Sequence, residues 1–97
     1  MTDDKLKSIL RDISINECEE IIENYIYYCK RSIRQRCYHG DGSFRYVEEE
    51  YKFLVIAEKG EKQAIILRCG FMDLHWYVLK RWRNKHILSN ALRTGVI

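Results

Sequence analysis

Two apolar runs, residues 53–57 and 64–67, flank a charged stretch, residues 58–62, that holds a single glycine, Gly60. A strand with one wet face alternates apolar and polar residues, whereas these runs are apolar at every position, which in the first suits a strand covered on both sides or paired centrally. In the first run Tyr51, Phe53, Val55 and Ala57 point to one side and Leu54 and Ile56 to the other. The pair predicts an antiparallel hairpin, with Gly60 supplying the positive φ of its turn. Residues 44–47 extend it, either as a third strand or as the start of one long strand. A chain of 97 residues must find the covering layers within a single domain, residues 1–97.

The sequence contains no proline, so caps, glycines and apolar periodicity have to set the ends of each element. Leu6, Ile9, Leu10 and Ile13 recur at helical spacing behind Thr2, a capping residue, and Asp3 and Asp4, which suit a positive helix start. A helix over residues 3–12 is expected. Ser14 and Glu17 form an S-x-x-E capping box, and Ile15, Cys18, Ile22, Tyr25, Ile26, Cys29 and Ile33 then share one helical face. That stripe predicts a second helix, from Ile15 to about residue 38, closed near Gly40. Its glutamates come early and its arginines late, as the helix dipole favours. Residues 39–43 read as a turn. Past Gly70, Asp73 is read as the cap of a final helix carrying His75, Val78, Leu79, Trp82 and His86 on one face. The apolar residues Ile87, Leu88, Ala91 and Leu92 point the other way, which implies either a break near Asn84 or a helix gripped on opposite sides by two different bodies.

The expected fold class is therefore α+β: two N-terminal helices, an antiparallel hairpin or three-stranded meander, and a C-terminal helix or broken helix pair. Hydrophobic residues at 46% and charged residues at 32% exclude a disordered or low-complexity chain. Its apolar runs are too short to span a bilayer, so no membrane partner is expected. The acidic start, Asp3 and Asp4, lacks the basic and apolar segments of an export signal, and a cytoplasmic setting is expected. In that setting Cys18, Cys29, Cys37 and Cys69 should remain reduced thiols.

No residue set reads as catalytic, so the chain is expected not to be an enzyme. His39 and Asp41 lie in a glycine-flanked turn, where Asp-Gly serves turn chemistry. Cys37, His39, Cys69 and His75 are the ligand types zinc accepts, but a C-x-H step and a distant C-x5-H match no usual knuckle. No metal or cofactor is expected.

Charge carries more information. Residues 24–47 hold five basic groups and one acidic, and residues 62–97 hold seven and one, while the other two segments are acidic. The C-terminal third interleaves cations with aromatics, and Trp76, Lys80, Arg81, Arg83, Lys85 and Arg93 are the expected contact residues for nucleic acid or a nucleoprotein complex. Trp76 is preferred to Trp82, which shares a helical face with Val78 and Leu79 and reads as core. Ile87, Leu88, Ala91 and Leu92 are the expected homodimer interface. The alternative is a small protein-binding regulator or inhibitor, of the kind phages and mobile elements encode, that occludes its partner without binding nucleic acid.

Overall fold

A computed structural model describes residues 2–68 and 74–96. Helix α1 (Asp3–Asp12) is followed by a single 3-10 turn (Ile15–Glu17) and five strands: β1 (Glu19–Ile22), β2 (Ile26–Tyr38), β3 (Phe44–Glu58), β4 (Glu61–Arg68) and β5 (Leu74–Val78). A second 3-10 turn (Lys80–Trp82) then leads to a short helix, α2 (Ile87–Arg93). The strands form one antiparallel meander in sequence order, β1-β2-β3-β4-β5. Among the described residues no helix is long and apolar enough to cross a membrane.

Residues 53–57 and 64–67 are buried on both sides, with a helix on each face. On one face α1 and Ile13 contribute Leu6, Leu10 and Ile13 to a core with Cys29, Ile33, Phe53, Val55, Ile65 and Leu67. On the other, Ala91 of α2 joins Ile26, Leu54, Ile56, Ala64 and Ile66. Helix α1 begins as expected, with Thr2 Oγ1 accepting from Lys5 N–H at 3.2 Å. The β3–β4 turn also keeps its expected form, with positive φ at Lys59 and Gly60. Residues 44–58 are one continuous strand.

The expected fold class needs correction at two places. The predicted second helix does not form: its capping box is real, with Ser14 N–H donating to Glu17 Oε1 at 2.7 Å, but it closes only the 3-10 turn. Residues 19–38 then run as β1 and β2. This stretch contains four isoleucines and four tyrosines and no alanine or leucine, a composition that packs better on a pleated surface than in a helix. A tight turn separates the two strands. Glu23 and Asn24 both have positive φ, Tyr25 N–H donates to Ile22 carbonyl oxygen at 2.8 Å, and the Asn24 amide donates to the Glu20 carboxylate. The helical stripe was a coincidence of spacing, since Ile22 and Ile26 go to the α2 side while Cys29 and Ile33 go to the α1 side.

The reduced-thiol expectation fails for Cys18 and Cys29, for the same reason, whereas Cys37 is a free thiol. Eleven residues along a helix would separate Cys18 from Cys29 by roughly 16 Å, beyond disulfide reach. The β1–β2 turn instead brings their Cα atoms to 4.9 Å, and the two form a disulfide.

The second correction is C-terminal. The residues assigned to a long final helix form β5, the 3-10 turn and α2, although the chain does break at Asn84, where φ is 65°. Asp73, Gly70 and Cys69 lie outside the described residues. Of the expected dimer residues, Ala91 is fully buried in the chain's own core, Ile87 and Leu88 pack against it, and Leu92 is exposed. Covering the second sheet face required that apolar stripe.

Candidate functional site

Strands β2 and β3 outrun the rest of the sheet. Among the described residues β4 pairs with β3 only as far as Lys52↔Arg68, and β1 pairs with β2 only from Ile26 to Tyr28. From Arg31↔Tyr51 to Tyr38↔Phe44 the two strands continue as a ribbon with no third strand beside it among the described residues, roughly 25 Å long at the usual rise per residue. It makes the molecule elongated, 49 × 26 × 24 Å. At its tip His39 N–H donates to Ser43 carbonyl oxygen at 2.8 Å. The Asp41 carboxylate accepts from the Ser43 amide at 2.9 Å and its hydroxyl at 2.6 Å. These bonds, the side-chain one foremost, hold the Asp41 carboxyl below its ordinary pKa. Asp41 thus serves the turn.

Alternation along the strands and the cross-strand register place the ribbon residues on two faces. The face continuous with the α2 side carries Arg34, Arg36 and Tyr38 from β2 and Phe44 and Tyr46 from β3. These five side chains form one cluster. The Arg34 guanidinium lies 4.2 Å from the centroid of the Tyr46 ring, and that of Arg36 lies 4.9 Å from Phe44. Phe44 meets Tyr46 edge to face at 5.5 Å, and Tyr38 meets Phe44 at 5.9 Å. The hydroxyls of Tyr38 and then Tyr46 favour the charged form of Arg36, raising a pKa that is already high. The rings nevertheless remain open to solvent, with Tyr38 69%, Phe44 45% and Tyr46 48% exposed.

Toward the sheet the same face carries a row of cations across three strands, Lys30↔Lys52↔Arg68. The row beyond it, Tyr28↔Leu54↔Ile66↔Trp76, ends on an indole that is 49% exposed. Glu48 and Glu50 are the acidic residues facing this way on the ribbon. Among the described residues, none of Lys30, Lys52, Arg68, Arg34 and Arg36 forms an ion pair with a carboxylate, whereas cations elsewhere do. Arg31, on the opposite face, is bound by Glu17 and Asp12.

The residues expected from sequence to form the contact surface are scattered. Trp76 is the member that shares the face just described. Arg81 pairs with Glu61 at 2.7 Å, and Arg83 donates to Val78 carbonyl oxygen at 3.0 Å while lying over Tyr77. Lys80, Lys85 and Arg93 are exposed, but on the 3-10 turn, the segment after it and α2, so no single helix face unites them. Trp82 is half-buried, with its indole N–H unpartnered. Of the residues weighed as zinc ligands, His75 contacts Asp3 at 2.9 Å, while Cys37 and His39 stand at the far end of the ribbon. No group of metal-ligating side chains occurs among the described residues.

Sequence reasoning missed the ribbon cluster because β2 was read as a helix. A signal was present: Arg34, Arg36 and Tyr38, then Phe44 and Tyr46, keep period two on either side of the turn at 39–43. Comparison with protein-family models, curated proteins and solved structures finds no match.

Proposed function

We propose that this chain is a non-enzymatic binding module that takes nucleic acid along the open face of its sheet and ribbon. The observation that carries the reading is five cations without carboxylate partners among the described residues, interleaved with exposed aromatic rings, on one continuous face. Lys30, Lys52 and Arg68 form a transverse row that can neutralise phosphates, while Arg34 and Arg36 extend the charge along the ribbon. Exposed rings contribute stacking area that a purely solvated charged face does not need. This reading keeps the class of partner expected from sequence and moves the surface from the C-terminal segment to β2, β3 and β4.

Equilibrium binding of a labelled oligonucleotide over a salt series tests it. Wild type should lose affinity steeply with salt, and Lys30→Gln with Lys52→Gln and Arg68→Gln should both weaken binding and flatten the dependence, each lost phosphate contact lowering the log–log slope by about 0.7 to 0.9. Arg83→Ala with Lys85→Ala should bind as wild type. Absence of salt-dependent binding would refute the proposal.

One observation favours the alternative of a protein-binding regulator. Beyond Tyr28 the outer edge of β2 has no strand partner among the described residues, and a free edge is a template for an added strand. Under that reading the cation variants would leave partner capture intact, and nucleic acid would not compete.

A further inference from the structure

Resting on that nucleic-acid reading, we infer that the ribbon face is a platform for single-stranded nucleic acid, with successive unstacked bases lying against Tyr38, Phe44, Tyr46 and the arginines among them. The choice between single strand and duplex follows from what the face offers. A duplex presents phosphates and base edges, and its base faces are already occupied by one another, so exposed aromatic rings gain little from it. A single strand can turn its base faces outward, and stacking on rings or guanidinium planes is then available at every nucleotide.

The geometry supports this in two ways. Arg34 sits opposite Glu48 in the register, yet its guanidinium lies 4.2 Å from the Tyr46 centroid, so the cation extends the π surface while its charge remains available to phosphate. Secondly, residues on one face of a strand repeat every second position, about 6.7 Å. That is twice the roughly 3.4 Å rise of stacked bases in a duplex strand, a step that matches an extended strand whose bases have been pulled apart. The rows Tyr38↔Phe44, Arg36↔Tyr46 and Arg34↔Glu48 are consecutive steps of this kind. Nothing on the face selects a base, because every base has a π face.

The test compares a short oligothymidylate, a short oligouridylate and a blunt mixed-sequence duplex of equal length, each with wild type and with Phe44→Leu combined with Tyr46→Leu. Wild type should bind at least one of the single strands about tenfold or more tighter than the duplex, and the two single strands show whether DNA or RNA is preferred. The double variant should lose roughly ten- to a hundredfold of single-strand affinity, keep the salt slope of wild type and leave duplex binding unchanged. Tyr38→Leu, at the exposed tip, gives a second variant whose thermal midpoint should equal that of wild type. Equal or tighter binding of duplex, or unchanged single-strand binding by both variants, overturns this inference while leaving the nucleic-acid reading standing. Failure of wild type to bind any of the three overturns both.

Discussion

The ammonium of Lys62 on β4 donates to the main-chain carbonyl oxygen of Ile13 at 2.8 Å, just past the end of α1. It also donates to Arg11 at 3.0 Å and to Leu10, so one side chain ties together the carbonyls on which the helix ends. Those oxygens lack intrahelical partners and carry the negative end of the helix dipole, which a cation stabilises. Partial burial pulls the Lys62 pKa below its ordinary 10.5, against the opposing pull of Asp12 and Glu17. Lys62→Met keeps the length of the side chain and removes the donors. It should cost about 1 to 2 kcal/mol, read as a lower urea midpoint with an unchanged slope.

Ile22 and Ile26 distinguish the observed strands from the helix that their spacing suggests. On a helix they would sit one turn apart on the same buried face. In the structure Ile26 is fully buried and Ile22 only half so. Ile26→Ala should cost on the order of 2 to 5 kcal/mol, and Ile22→Ala clearly less, both by denaturant titration.

The Cys18–Cys29 disulfide should appear in the intact mass of protein folded under oxidising conditions as a loss of two hydrogens. Replacing both cysteines with serine should lower stability by about 2 to 4 kcal/mol against the oxidised form. Reductant should produce a similar loss in wild type and none in the variant.

The ribbon tip provides a pH test. The folded pKa of Asp41 lies below the ordinary 3.8, so its bonds to Ser43 stabilise the turn above that value. Their contribution is lost as pH falls through the lower, folded pKa. Titration followed by NMR should show the depressed value in wild type and a return toward 3.8 in Ser43→Ala.

How far the fold could be read from residues depended on whether a pattern had one explanation or two. Residues 53–57 suit a strand covered on both sides or paired centrally, and α1 joins a cap to a stripe, so the strand and the helix were both legible. The 15–38 stretch admits two readings, since gaps of four and three between Ile22, Ile26, Cys29 and Ile33 fit a helix face and also split cleanly between the two faces of strands. The turn that decides the matter, Glu23-Asn24, contains no glycine to announce it. The site was hidden by the same ambiguity. Arg34 and Tyr46 are twelve positions apart, and only the β2–β3 register makes them neighbours.

Under the proposed function, nucleic acid lies on the face shared by Lys30, Arg34, Arg36, Tyr46 and Lys52. The most direct test of this is an NMR titration of isotope-labelled protein with a short oligothymidylate or oligouridylate, following every backbone amide. Shift changes should concentrate on β2 and β3 from residue 30 to residue 52 and at Trp76, with α1, Arg81 and Arg83 unmoved. Changes confined to the 80–93 segment, or none on the ribbon at saturating oligonucleotide, would contradict it.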